Sequence, residues 1–144
     1  MKSARVLIVD DHEIFRKGLR TLLESRADLA ICGEAANGLE AIKKAKDLHP
    51  DVILMDISMP HVDGLQATRL IRHQAPETQI IILSQHDTPL MRSAALKAGA
   101  SAYVTKSQVS QFLLAALESV IEGKSFIWNS SEATTGTPSG QGSS

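Results

Sequence analysis

Three carboxylates, one hydroxyl and one ammonium group follow the apolar runs of this 144-residue chain. Asp10 and Asp11 follow the first run and Asp56 the third, while Ser84 closes the fourth and Lys106 comes after the fifth. The adjacent carboxylates are unfavourable by themselves, because two like charges about 4 Å apart repel by about 4 kcal/mol at an effective dielectric near 20. Something must compensate for this repulsion, and a bound cation would do so.

These residue types suit the transfer of a phosphoryl group. Three hard oxygen ligands predict a Mg2+ site, since Mg2+ is usually held by one or two carboxylates, with water and phosphate oxygens at its other positions. A carboxylate beside the metal can attack phosphorus as a nucleophile and form an acyl phosphate, and we assign this role to Asp56. Lys106 would neutralise charge on the transferred oxygens, and Ser84 would donate its hydroxyl to one of them.

Each of these residues also has a plainer interpretation. A single Asp at the end of a strand is most often the N-cap of the next helix, so Asp10 or Asp11 could cap the first helix. A single Lys such as Lys106 near a strand end usually lies in solvent. The occurrence of all five residues at strand ends favours the functional interpretation.

Alternating strands and helices would position these residues. Strands that alternate with helices of about 10–15 residues imply right-handed crossovers and a parallel sheet covered on both faces. We predict a doubly wound, flavodoxin-like α/β fold with five helices and strand order 2-1-3-4-5, which binds ligands at the carboxyl ends of its strands. A β/α barrel needs eight units, more than this length allows. The five predicted strands are Arg5–Val9, Leu29–Gly33, Val52–Met55, Ile80–Leu83 and Ala102–Thr105.

The predicted helices are marked by apolar periodicity and by their ends. The first has apolar residues at helical spacing from Ile14 to Leu23, and the second covers about Leu39 to Leu48. The third lies between Leu65 and His73 and the fourth between Pro89 and Ala98. The fifth has the most regular apolar stripe, from Val109 to Ile121.

Four segments, in this order, resemble the receiver domain of two-component response regulators: LIVDDHEIFRKGL, VILMDISMPHVDGL, IIILS and KAGASAYVTKS. The likeness covers residues 3 to about 128. The continuation of the acidic pair into His12 and Glu13 is most similar to the NarL/LuxR class, whose members usually add a C-terminal helix-turn-helix domain. The resemblance implies a CheY-like fold, Mg2+ as cofactor, a sensor histidine kinase as phosphoryl donor and a role in transcription regulation.

The resemblance also implies roles for residues of the acidic site. Asp56 corresponds to the phosphoacceptor, Asp11 to a direct Mg2+ ligand and Asp10 to a ligand through water. The backbone carbonyl of Ser58 would complete the protein ligands. A receiver takes part in the transfer and hydrolysis of its own phosphoryl group, so we do not expect an enzyme that acts on separate substrates.

Further positions match the family's switch and its loop. Ser84 corresponds to the switch hydroxyl, Tyr103 to the switch aromatic and Lys106 to the phosphate-binding lysine. Met59-Pro60 and Asp63-Gly64 match the loop that shapes the site. We expect Ser84 to move toward the phosphoryl group and Tyr103 to turn inward from a more exposed rotamer. This movement would change the surface formed by the fourth helix, fifth strand and fifth helix, and would promote self-association.

One position departs from the family pattern. The residue after the switch hydroxyl is commonly Ala or Gly, and here it is Gln85, which puts the rates of phosphorylation and hydrolysis in question. Phosphatases of the haloacid-dehalogenase type also form an aspartyl phosphate, but their nucleophile follows the first strand and a second Asp lies two residues later, where this chain has Ser58 after Asp56. A flavin module would need a phosphate loop after the first strand, where DDHE would repel phosphate. A degenerate receiver that acts only as an interaction module is a further alternative.

Composition limits the partners and the location. The net charge of −1 gives no basic surface for nucleic acid, so we expect DNA binding only through a C-terminal domain outside this chain. The single cysteine, Cys32, suits a reducing compartment, and without a long apolar stretch we expect a cytoplasmic protein with no membrane contact. The five histidines are too scattered for a metal set and should lie at the surface. We predict a receiver domain over 1–128, with Trp128 anchoring its end, and a flexible linker or tail over 129–144.

Overall fold

The computed structural model of the protein describes residues 3–59 and 63–123, together with the backbone of Phe126–Ile127. Strands and helices alternate along these residues, as the apolar pattern predicts. The elements are β1 (Ala4–Val9), α1 (Glu13–Glu24), β2 (Leu29–Ala35), α2 (Gly38–Leu48), β3 (Val52–Asp56), α3 (Gly64–Gln74), β4 (Gln79–Ser84), α4 (Pro89–Ala98), β5 (Ala102–Thr105), α5 (Val109–Ile121) and β6 (Phe126–Ile127).

The strands form one parallel sheet in the order β2-β1-β3-β4-β5-β6. The predicted order of the first five strands and the five helices are confirmed. The sequence did not predict β6, because two residues are too few for a periodic pattern; this strand pairs Phe126 and Ile127 with Ala102 and Tyr103 of β5. Trp128 and the predicted tail over 129–144 lie outside the described residues, so both expectations stay predictions.

Both faces of the sheet are covered by helices. Along β1, Val6 and Ile8 face the side covered by α1 and α5, while Leu7 and Val9 face the side covered by α2, α3 and α4. All four side chains are fully buried. This two-sided burial explains why the central strands are continuous apolar runs rather than alternating ones.

Local capping fixes where the helices begin and end. Asn37 caps α2, Asp63 and Gln66 form a capping box at the start of α3, and Thr88 caps α4. Gly99 ends α4 with φ 111°, a left-handed conformation that glycine adopts without steric cost. None of the described helices has the length and apolarity that a membrane crossing requires.

Candidate functional site

Asp10 and Asp56 lie side by side at the carboxyl edge of the sheet. The register pairs Val9 of β1 with Met55 of β3, so the residues that follow these two are neighbours. Both carboxylates are buried, and Lys106 Nζ lies 2.7 Å from Asp10 Oδ2 and 3.3 Å from Asp56 Oδ1. The structure therefore brings three of the predicted residues together, with the carboxylates of Asp10 and Asp56 sharing the ammonium group of Lys106.

The carboxylate of Asp11 lies at the rim of this cluster and is 30% exposed. One ligand atom from each of Asp10, Asp11, His12 and Asp56 can be chosen so that all four lie within 4.8 Å of one another. Ligand atoms at such a spacing could hold a metal ion. Asp10 and Asp56 are buried at the ends of the two central strands, whereas Asp11 and His12 are exposed, so the cluster opens toward solvent.

Burial in the sheet edge makes the carboxylate of Asp56 unusual. Desolvation and the neighbouring charge of Asp10 raise its pKa from 3.8 to about 6, against the opposing effects of Lys106 and the backbone N–H of Ser58. That N–H donates to Asp56 Oδ1 at 3.2 Å. Asp56 Oδ2 is buried and accepts no hydrogen bond from the described residues.

His12 forms a contact that the sequence analysis missed. Its backbone N–H donates to Asp10 Oδ1 at 2.8 Å, and its ring Nδ1 lies 3.2 Å from that oxygen and 3.1 Å from Asp11 Oδ1. The side chain is 59% exposed, as we expected for the histidines, but it is not remote from the carboxylates. Its position next to the acidic pair was the available indication.

His12 is also the N-cap of α1, although its side chain makes no capping hydrogen bond. The alternative in which Asp10 or Asp11 serves as that N-cap is therefore wrong for this chain. Asp10 precedes the cap, and its backbone N–H still extends the ladder by donating to the carbonyl of Ala35. Neither carboxylate therefore acts as the helix N-cap, which is the usual structural role of a single Asp at the end of a strand.

Two residues of α1 hold the charged groups in place, and the sequence analysis missed both. The ring of Phe15 lies under Lys106, with Nζ 4.5 Å from the ring centroid, which stabilises the ammonium where only 10% of its side chain is exposed. Arg16 donates to the backbone carbonyl of Asp10, and its Nε donates to Glu34 Oε1 at 3.1 Å. Arg20, one turn later, also donates to Glu34, and this i, i+4 pair of arginines was the only indication in the sequence.

Gly64 sets the shape of the loop between β3 and α3. A Cβ atom at this residue would lie 2.1 Å from the backbone oxygen of Asp56 and 2.8 Å from the Cα of Ile57. Its backbone N–H donates to the carbonyl of Ile57 at 3.2 Å. The absence of a side chain therefore lets the start of α3 lie directly against Asp56. Met59 is buried, and Pro60 lies outside the described residues.

Ser84 and Tyr103 are linked through the backbone of His86. Ser84 is fully buried and follows Leu83, the register partner of Asp56. Its Oγ accepts the backbone N–H of His86 at 3.0 Å, and the Tyr103 hydroxyl donates to the His86 carbonyl at 2.5 Å.

The expectation that Tyr103 starts from an exposed rotamer is wrong for this structure. Its ring is only 1% exposed, because it packs among the residues on the α2–α4 side of the sheet while its hydroxyl is satisfied by the carbonyl of His86. Gln85 is exposed, and its effect on reaction rates stays a prediction.

Comparison with known proteins agrees with this architecture. The family model described as "Response regulator receiver domain" matches residues 6–118. The uncharacterized transcriptional regulatory protein YhcZ of Bacillus subtilis (strain 168) is 43% identical over 102 residues, 71% of this chain and 48% of that protein. The response regulator UvrY of Escherichia coli (strain K12) is 38% identical over 122 residues, 85% of this chain and 56% of that protein. The chain thus spans about half the length of these relatives.

A solved structure is similar over almost the whole chain. The two-component response regulator of the LuxR family from Aurantimonas sp. SI85-9A1 superposes with a TM-score of 0.86 and 36% sequence identity. The match covers 92% of this chain and 94% of that one. Sequence and structure therefore point to the same family.

Proposed function

The chain belongs to the family of response regulator receiver domains, of the LuxR/NarL type, and from this premise we propose that Asp56 accepts a phosphoryl group. The donor is a sensor histidine kinase, and small phosphodonors such as acetyl phosphate substitute for it. The protein processes only its own phosphoryl group, through transfer and later hydrolysis, and is not an enzyme with a separate substrate.

Asp56 Oδ2 is the observation that carries this proposal. A buried carboxylate oxygen with no hydrogen-bond partner among the described residues is costly, because nothing replaces the water that it loses on folding. The other oxygen of the same group is held by Lys106 and by the N–H of Ser58. A carboxylate fixed through one oxygen and unpaired at the other suits nucleophilic attack.

The donor set fits Mg2+. Three carboxylates around one ammonium leave a surplus of negative charge, and carboxylate oxygens are the ligands that Mg2+ prefers. Asp11 and Asp56 would bind directly, Asp10 through water, and the carbonyl of Ser58 would be the remaining protein ligand. When bound, Mg2+ would neutralise charge on the phosphoryl oxygens.

The transfer itself begins from the ionised carboxylate of Asp56. With a pKa of about 6, Asp56 is mostly ionised at neutral pH and has an electron pair for phosphorus. The new bond joins Oδ2 to phosphorus, while the bond from phosphorus to the kinase imidazole breaks and its electron pair stays on that nitrogen. Lys106 pairs with the negative oxygens, and Ser84 donates its hydroxyl to one of them.

The phosphoryl group would alter the contacts around Ser84. Its Oγ now accepts the N–H of His86, whose carbonyl in turn accepts the Tyr103 hydroxyl. Rotation of Ser84 toward the phosphoryl group would release His86 and change the packing of the β4–α4 loop. We expect this change to promote homodimer formation.

The output belongs to a longer protein. The relatives YhcZ and UvrY are about twice as long as the matched region, and one is named a transcriptional regulatory protein. The proposed full-length protein regulates transcription in the cytoplasm through a helix-turn-helix domain that lies outside these residues. This region itself does not contact DNA or a membrane.

Labelling with acetyl phosphate and Mg2+ tests the acceptor. The wild type should gain the mass of one phosphoryl group, and Asp56→Asn should gain none. Asp47→Asn is the matched control, because Asp47 is an exposed carboxylate on α2. Equal labelling of wild type and Asp56→Asn would disprove the assignment.

A further inference from the structure

Beside the carboxylates, the described cluster contains a nitrogen donor that Mg2+ does not need. His12 Nδ1 lies 3.2 Å from Asp10 Oδ1 and 3.1 Å from Asp11 Oδ1. Donors bound about 2.0–2.2 Å from a tetrahedral Zn2+ are separated by about 3.3–3.6 Å. The imidazole therefore already stands at nearly the distance from two carboxylates that a shared transition metal would impose.

We propose that this site also binds a late first-row divalent metal, such as Zn2+ or Cu2+, with His12 Nδ1 as the ligand that distinguishes it from Mg2+. Imidazole suits these metals, whereas Mg2+ favours oxygen ligands. The buried Asp56 Oδ2 is a separate indication of a missing partner, because it has none among the described residues. This inference rests on the proposed function only in that both metals use the same carboxylates.

Ligation by His12 needs no rearrangement of the backbone. The ring belongs to the N-cap residue of α1, and its backbone N–H is fixed by Asp10 Oδ1 at 2.8 Å. Coordination requires a lone pair on Nδ1, so the ring proton must be on Nε2, where water can accept it because the side chain is 59% exposed. The hydrogen-bonding contacts of Nδ1 with the two carboxylates are then replaced by three bonds to one metal.

A bound late metal would compete with phosphorylation. The four ligand atoms of Asp10, Asp11, Asp56 and His12 lie within 4.8 Å of one another. If side-chain rotation brings them to tetrahedral spacing around one ion, they fill its shell and leave no position for a phosphoryl oxygen. Mg2+ keeps such positions open because it is held by fewer protein ligands. The same cluster thus gives an active complex with one metal and an inhibited complex with the other.

The substitution His12→Asn separates the two metals. An amide N–H can still donate to the carboxylates near the place of Nδ1, but it offers no imidazole nitrogen. Because loss of an outer-sphere partner already lowers metal affinity about 10–100-fold, loss of a direct ligand should weaken Zn2+ binding at least tenfold. Mg2+ affinity should stay within about twofold. His73→Asn is the matched control, since His73 is exposed on α3 and should leave both affinities unchanged.

The experiment uses the chain without a polyhistidine tag, titrated separately with Zn2+ and Mg2+ by calorimetry. Electron paramagnetic resonance of one equivalent of Cu2+ provides a second measurement, in which imidazole nitrogen coupling should appear in wild type and His73→Asn and disappear in His12→Asn. Equal Zn2+ affinity in wild type and His12→Asn, or nitrogen coupling that persists in His12→Asn, would overturn the proposal. Failure of Mg2+ binding and of Asp56 labelling in the wild type would instead refute the proposed function, whatever the copper spectrum shows.

Discussion

Replacing Asp56 with Asn should stabilise the protein, and more so at high pH. Burial and the charge of Asp10 raise the pKa of this carboxyl from 3.8 to about 6, so the ionised form is disfavoured in the folded state. At about 1.4 kcal/mol per pH unit, the difference corresponds to about 3 kcal/mol of lost stability once the group is ionised in both states. Asn has a similar shape and no charge, so it should recover most of this free energy.

The direction of the pH dependence follows from proton binding. Between the unfolded pKa of 3.8 and the folded pKa of about 6, the folded state holds a proton on Asp56 that the unfolded state has lost, so the stability of the wild type falls as pH rises through this range. At about pH 3 and below, both states are protonated and the penalty disappears. The advantage of Asp56→Asn over the wild type should therefore vanish near pH 3, reach about half of its full size at pH 5 and be about 3 kcal/mol at pH 8.

Urea unfolding from pH 4 to pH 8 in the presence of EDTA measures this difference. EDTA removes divalent metal, which would bind the ionised carboxylates and cancel the penalty. Other titrating groups contribute to both proteins and largely cancel in the comparison. Asp47→Asn serves as the control for removal of an exposed charge. If the gain in Asp56→Asn is the same at pH 5 and pH 8, or is a loss at pH 8, the buried carboxylate is not destabilised as the structure indicates.

Two further predictions concern residues that hold the site together. Gly64→Ala should lower the free energy of unfolding by at least about 2 kcal/mol, because a Cβ would lie 2.1 Å from the backbone oxygen of Asp56. The control Gly18→Ala should be neutral or stabilising, because a Cβ at Gly18 meets no atom within 4 Å. Equal urea midpoints for the two variants would contradict this prediction. Arg16→Gln should weaken Mg2+ binding about tenfold, because Arg16 donates to the backbone carbonyl of Asp10 as well as to Glu34. The control Arg20→Gln loses only a contact with Glu34 and should leave Mg2+ affinity unchanged. Equal Mg2+ affinities of the two variants in calorimetric titration would refute the positioning role of Arg16.

The layout of the fold could be predicted because it is encoded locally. Strands buried on both faces are continuous apolar runs, and helices that end at Gly99 or begin after Asn37 show these boundaries in a few residues. The parallel order follows from the alternation of strands and helices. By contrast, β6 has two residues and no pattern of its own, and β2 continues to Ala35, two residues beyond its predicted end.

For the site, the sequence could predict only which residues lie at the ends of the strands. The ends of parallel strands meet at one edge, so the proximity of Asp10, Asp56 and Lys106 follows from topology. Contacts made by side chains that reach across elements do not, because they depend on rotamers and on the distance between a helix and the sheet. Phe15 under Lys106 and the inward ring of Tyr103 are of this second kind.

The charges of the site explain why the adjacent carboxylates that open the sequence motif are tolerated. Lys106 is shared between Asp10 and Asp56, and Asp11 is partly in water, so one cation offsets part of three negative charges. The remaining repulsion between the carboxylates contributes to the raised pKa of Asp56, so this group is protonated more readily when no metal is bound. A divalent cation would remove the same cost by neutralising the surplus. A phosphoryl group on Asp56 would carry about 1.5 to 2 negative charges in place of the single charge of the carboxylate, and Lys106, 3.3 Å from Asp56 Oδ1, is a cation able to respond to it.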